Sequence, residues 1–517
     1  MTVASDPDIL ERFKETVRNR DAAGLRALLA EHPELQPEID RPIFDTEPAV
    51  VFCRRDRAMV DALLDGGADI NSRSQFWGRT VGVLDDNPEM RAYLIQRGAV
   101  QEIDDFVAAV KAGDAAKVRA PLAASSALRQ HINRPLFPFG AQAIVAAKDN
   151  RAIVETLLEF GADINVKTDW WAGGFGVLDG TNPEQAAWLI ERGAIVDIHA
   201  AAWLGMLDTV KEWLAKDPSL VHARGGDGQR PLHVASTKEI IDLLLDSGAD
   251  INARDVDHHA TAAQYKVRET DLCRHLIARG ADVDIFMAIA LNDNALIQQV
   301  IDADPACLTA RIGQPGYVPV PPGHIYQWNL GANLSVLLVA AQYASPDLYE
   351  MIVRRSPPKE QFLAACRRRD EAAATKILAA NPKLLDDLQP EDRAQLVEAA
   401  DAHDLPAVEL MLTLGFDINA RDREGFTAVS HAALRGYVRV VRVLVDHGAD
   451  LEIRSVYGGN ALQSCQWGSL NFRDPRGDYP ACGEALVQAG ATVAYPDFGS
   501  DEVRARVAAA IRDSGRG

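Results

Sequence analysis

The residues best suited to chemistry in this chain are carboxylates and imidazoles close together. The stretch Asp255-Val-Asp-His-His-Ala-Thr-Ala-Ala-Gln-Tyr265 puts Asp257, His258 and His259 at the tip of one connection and Tyr265 just past it. Asp227 holds the equivalent place one repeat earlier, within Gly225-Gly-Asp-Gly228, and His199 and His233 flank that segment. Adjacent tips in a stacked chain stand close, so Asp227, Asp257 and His258 are expected to converge, with His199 near them. Carboxylates beside imidazoles suit general acid–base catalysis, as in a hydrolase or lyase, or a divalent cation. Asp227, Asp257 and His258 are therefore the candidate catalytic residues if the chain is an enzyme. No metal ligand and no cofactor is assigned. The plain alternative is that Asp at such tips only shapes a turn.

Aromatic side chains give a second group. Trp188, Trp203 and Trp213 lie in helical patterns and read as core. Trp77, Trp170, Trp171, Trp328 and Trp467 fall in Gly-rich or irregular connections, such as Asp169-Trp-Trp-Ala-Gly-Gly-Phe175. A loop tryptophan must either pack or bind something. The third feature is a Pro/Gly/aromatic insertion at 311–333, which holds Pro315, Pro319, Pro321, Pro322 and four glycines. No helix survives that composition. A connection this long is usually a lid, a binding loop or a linker, and Tyr317, His324, Tyr326 and Trp328 argue against a solvated linker. If the chain takes a small molecule, the insertion is expected to be its lid, with Tyr326 and Trp328 on the ligand. The candidate ligand-binding residues are then Trp77, Trp170 and Trp171, with His199, His233 and His259, and Tyr265, His324, Tyr326 and Trp328.

The elements that position these residues come from internal repetition. Gly-Ala-Asp-Ile-Asn occurs at 67–71, 161–165 and 248–252, with weaker copies at 280–284, 415–419 and 448–452. A helix-like apolar pattern precedes each copy, as in Val154-Glu-Thr-Leu-Leu-Glu-Phe-Gly161. The Gly supplies a left-handed helix end, and the Asp and Asn shape the exit. Successive glycines stand 32 residues apart at 161 and 193, and 33 apart at 415 and 448.

The segment from Asp422 to Asp450, which contains Gly-Phe-Thr-Ala-Val-Ser-His-Ala-Ala-Leu-Arg-Gly, resembles an ankyrin repeat. So does Asp227-Gly-Gln-Arg-Pro-Leu-His-Val-Ala-Ser236. The resemblance extends over nearly the whole chain and is of a bacterial-type ankyrin-repeat protein. It implies an all-α, curved ankyrin-repeat solenoid of about fifteen helix pairs. It also implies a structural hydrogen-bonding role for His233, and a binding or scaffold protein that meets a partner protein through its concave face and hairpin tips. The alternative is a small-molecule binder, for a carbohydrate-like ligand among others, or an enzyme using an Asp/His/aromatic cleft on that face.

A longer period lies above the short one. Ile39-Asp-Arg-Pro-Ile-Phe44 returns as Ile132-Asn-Arg-Pro-Leu-Phe137, an offset of 93 residues. The expected organisation is an array over 1–310 built from blocks of three units, the insertion 311–333, a second array over 334–499, and a capping helix and tail over 500–517. The solenoid is expected to break or tighten near the insertion. First helices are expected to be short near Val83, Val177 and His233, where the run to the next Gly is reduced to 15 or 16 residues.

Composition narrows the functional classes. The 517 residues carry a formal charge of −20 and are 47% apolar. That acidity excludes phosphate backbones and anionic membranes as partners. The N-terminus lacks the pattern of a secretory signal, and no apolar run is long enough to span a bilayer. Six cysteines with no CxxC spacing point to reduced thiols, and hence to a cytoplasmic protein. Neither a phosphate-binding glycine loop nor an HExxH or GxSxG motif occurs. The composition leaves the oligomeric state open.

Overall fold

The structure is a computed structural model that describes residues 6–44, 47–74, 80–85, 87–313 and 323–513. Among the described residues every regular element is a helix, and successive helices pack on one another, as Glu102–Lys111 does on Ala115–Ala124. Extended backbone is limited to isolated bridges, such as Phe137–Ala141, Arg254–Thr261 and Arg421–Thr427, each closing a hairpin tip ahead of a first helix.

One pair shows why the sequence folds this way. The helix Lys238–Asp246 starts where the Thr237 side chain accepts from the Ile240 N–H, and it buries Ile240, Ile241 and Leu244 on one face. It ends at Gly248, which takes φ +97°, a conformation that favours glycine. The Asp of the following Gly-Ala-Asp-Ile-Asn string then accepts from the Asn N–H two residues on, as Asp250 does from Asn252 at 3.0 Å. The Asn side chain has its own task, which is to bridge repeats. Asn165 donates to the Gly193 carbonyl at 3.0 Å and accepts from the Ile195 N–H at 2.8 Å. Asn133 makes the same pair of bonds to Gly161 and Asp163.

The chain divides into two compact units, 1–263 with 278–280, and 264–277 with 281–517. In the first unit one apolar cluster runs from Phe13 to Ala99 and another from Ile103 to Ala200. Three of its first helices are cut short where the residue spacing requires it. Pro231–Val234 is a single turn, and at 83–85 and 177–179 only a turn remains. Trp203, expected in the core, instead lies exposed at a helix end, with its indole N–H donating to the Thr181 carbonyl at 2.9 Å.

In the second unit stacking continues past the insertion. The helix Ile285–Ala290 packs directly on Val336–Tyr343. The Ile312 N–H donates to the Leu334 carbonyl and the Val336 N–H to the Ala310 carbonyl, at 3.0 and 3.3 Å. These bonds close the base of the insertion, so the stack is not broken there. Trp467, placed by its glycine neighbours in a loop, lies inside the helix Ala461–Asn471. The last helix, Asp501–Asp513, packs Val503, Val507 and Ala510 against Tyr479–Gln488 and covers the end of the apolar cluster. All six cysteines are buried and free. No helix of the described residues is long and apolar enough to cross a membrane.

Candidate functional site

In the first unit four hairpin tips are joined by backbone hydrogen bonds into one ridge. The Asp169 N–H donates to the Gly140 carbonyl at 2.9 Å, and the Asp227 N–H to the Gly173 carbonyl at 3.3 Å. The Asp227 carbonyl in turn accepts from the Val256 and Asp257 N–H groups at 3.0 and 3.1 Å. The loop 168–175 is closed at its base by Thr168 and Phe175 and reaches the tip two repeats further on. That reach needs glycine: a Cβ at Gly173, whose φ is +142°, would lie 2.0 Å from the Gly225 carbonyl oxygen. Aromatic residues stand along the ridge. Phe139 meets Trp170 edge-on with centroids 5.0 Å apart, and Trp170 meets Trp171 at 6.2 Å. Phe139 is 46% exposed and Trp171 63%.

At the far end of the ridge Asp227, Asp257 and His258 come together. His258 Nε2 lies 3.4 Å from Asp227 Oδ2 and 3.8 Å from Asp257 Oδ2. The three potential ligand atoms all fall within 4.8 Å of one another. The side chains retain only 14–20% of their exposure. Asp255 fixes the turn by accepting from the His258 and Ala260 N–H groups at 2.8 and 2.6 Å. Burial pushes the Asp257 carboxyl above its ordinary range, and the Asp227 charge adds to that against the opposing pull of His258. Such a set can exchange a proton or hold a cation.

The other expected residues have different positions. His199 is buried behind the Asp227 turn, where its Nε2 faces the Ala223 and Gln229 carbonyls at 3.1 and 3.2 Å. His233 is buried too: its Nδ1 accepts from the Arg230 N–H at 3.1 Å, and its Nε2 donates to the Ala260 carbonyl at 3.1 Å. Both histidines brace tips. His259 is exposed, with φ +49°, and points its carbonyl at Arg254. Trp77 lies outside the described residues, as do 314–322 of the insertion.

Tyr265, His324, Tyr326 and Trp328 belong to the second unit. Tyr326 is 1% exposed and donates its hydroxyl to Asp284 Oδ2 at 2.7 Å. Gln264 donates to the same oxygen at 2.9 Å, and His324 lies 3.4 Å from Gln264 Oε1. Burial pushes the Asp284 carboxyl up, against the hydrogen bonds from Gln264 and Tyr326. Tyr326 is therefore an anchor that fastens the insertion to the core, and in this conformation it offers no surface to a ligand. Tyr265 is half-buried and accepts from Asn329 through its carbonyl at 3.2 Å. Trp328 is 64% exposed.

The second unit also holds a cleft of about 410 Å³ that motif reading missed. Arg367, Glu398, Asp401, Asp422 and His431 line it. His431 lies between two carboxylates, with Nε2 2.8 Å from Asp422 and Nδ1 3.3 Å from Asp401. Arg435 also donates to Asp401 at 2.8 Å. Although burial opposes charge on the ring, these carboxylates lift the His431 imidazole to about 9. Asp401, against the same burial, is drawn down to about 2 by His431 and Arg435. Both ring nitrogens are engaged, so His431 is a charged brace and not a free base. The sequence signal was slight: a His four residues before an Arg on one helix, with partners 9 and 30 residues back.

Comparison with known proteins agrees with this architecture. A family model for ankyrin repeats in three copies matches residues 198–287, 361–455 and 396–472. Mouse protein phosphatase 1 regulatory subunit 27 is 33% identical over 96 residues, which is 19% of this chain and 62% of that protein. A fowlpox virus ankyrin repeat protein is 40% identical over 58 residues, 11% of this chain and 13% of the viral one. Rat ankyrin repeat and SAM domain-containing protein 6 is 29% identical over 143 residues, 24% of this chain and 16% of that one. The chain covers less than two thirds of each relative's length, and these relatives are mammalian and viral, not bacterial. The chain contains ankyrin repeats.

Proposed function

We propose that this ankyrin-repeat chain is a binding scaffold whose hairpin tips, and the first helices behind them, recognise a partner protein. The observation that carries the reading is the ridge from Phe139 to His258, where hydrogen bonds between tips hold Trp171 exposed on a fixed backbone. Exposed aromatic residues on a rigid support are typical anchors of protein interfaces, because they bury much area at little entropic cost. The charge of −20 and the carboxylates beside the tryptophans favour a partner segment that carries Lys or Arg next to apolar residues. Likeness over 96 residues to a protein phosphatase 1 regulatory subunit supports the same class.

The test compares the intact chain with a Phe139→Ser, Trp171→Ser variant. Proteins captured by the first and lost by the second are purified and titrated directly against both. The reading expects a partner whose Kd rises at least tenfold in the variant and whose association rate falls with added salt. Equal affinity for both forms would remove the ridge from the interface.

A further inference from the structure

The Asp227, Asp257 and His258 cluster brings three potential ligand atoms to within 4.8 Å of one another. His258 Nε2 stands 3.4 Å from one carboxylate oxygen and 3.8 Å from the other, whereas an N–H···O bond spans roughly 2.7–3.2 Å. Two ligands each about 2.1 Å from a metal ion and about 110–130° apart stand about 3.4–3.8 Å from each other. Both separations therefore lie in the range that a single shared cation would bridge.

We propose that Asp227, Asp257 and His258 form a site for a divalent transition-metal cation of the zinc class, with water in the fourth position. Two carboxylates and a neutral imidazole balance a dication, and the set of one nitrogen and two oxygens suits zinc or cobalt. The ligands are held before any ion arrives. Asp227 stands at φ +55° in a turn whose carbonyl is gripped by the Val256 and Asp257 N–H groups. The His258 backbone is fixed by Asp255 at 2.8 Å. The remaining 14–20% exposure of the side chains leaves an approach from solvent. The thiols that would compete for zinc are buried. A bound ion would tie the 225–228 turn to the 256–258 turn and stiffen that end of the ridge. The proposal extends beyond partner binding and stands or falls separately from it.

The experiment titrates the full chain, freed of metal by chelation, with Zn²⁺ by calorimetry and with Co²⁺ by visible absorption. One ion per chain is expected, with the intense absorption of four-coordinate cobalt. Asp227→Asn, Asp257→Asn and His258→Gln should each weaken binding at least tenfold. Asn tolerates the left-handed turn at position 227, so that variant keeps the fold. His259→Gln, one residue away and exposed, should change nothing. Circular dichroism and urea midpoints confirm that each variant is folded. Unchanged affinity in the three ligand variants, or no saturable binding by the intact chain, would overturn the proposal.

Discussion

His233 in the first unit and His431 in the second do the same mechanical job with opposite electrostatics. Each sits on a first helix and ties it to a neighbouring segment. His233 does so through a backbone N–H and a carbonyl, and burial lowers its imidazole to about 4, so it stays neutral. His431 does so through two carboxylates, which raise it to about 9 despite burial, so it stays charged. The sequences nearly align, Arg230-Pro-Leu-His233 against Thr427-Ala-Val-Ser430, with His431 one position later. That single step turns the ring from the tip backbone to the acidic wall of the cleft. A tolerant repeat thus carries either kind of brace, and the neighbouring side chains decide which.

The largest expected effect tests whether the two units behave as separate regions at all. Leu244 and Leu444 are each 0% exposed. Leu244→Ala and Leu444→Ala should each cost about 2–5 kcal/mol. In a stack with neighbour-only contacts, hydrogen-exchange protection should fall first in the unit that carries the substitution. Uniform loss along the whole chain would erase the distinction.

A smaller effect separates the two histidines by pH. The unfolded chain takes up a proton at His233 near pH 6.5 while the folded chain resists until about 4. Stability linked to His233 is therefore lost as pH falls across that window. His431 binds its proton more tightly when folded, so its contribution is complete below pH 6.5 and is lost as pH rises through about 9. Urea midpoints measured across pH should show both slopes. His233→Gln should flatten the acid slope alone, and His431→Gln the alkaline one, with a loss of about 1.5–3 kcal/mol at neutral pH from the charged hydrogen bonds. Identical pH profiles for the two variants would contradict the contrast.

The smallest effect is an expected absence of change. Trp171 is 63% exposed, so Trp171→Ser should leave stability within about 0.5 kcal/mol. A large fall in the melting temperature would make the ridge a packing element and weaken its role in binding.

Much of the fold was legible because each part of it is local. The Gly that ends a helix and the Asp that turns the chain act within a few residues, so Gly161-Ala-Asp-Ile-Asn165 announces its own geometry. The meeting of Asp227, Asp257 and His258 was legible for a related reason: equivalent positions of neighbouring repeats must lie side by side. Tyr326 was read less well. Its Pro- and Gly-rich setting indicates a non-helical loop, yet Tyr326 opens the one-turn helix Tyr326–Asn329, and its hydroxyl is committed to Asp284, 42 residues earlier. Nothing in the local composition separates an anchoring aromatic residue from an exposed one such as Trp328.

The sequence by itself determined the helix pairs, the turn chemistry between them and the acidic character of the surface, since these depend on neighbours in the chain. Only the tertiary structure decided that the loop 168–175 reaches the Asp227 turn, that Tyr326 is buried, and that His431 lies between Asp401 and Asp422. Those outcomes depend on which backbone groups approach closely and which charges share a desolvated space. Burial multiplies the strength of such contacts, and burial is a property of the packed chain that no short stretch of sequence carries.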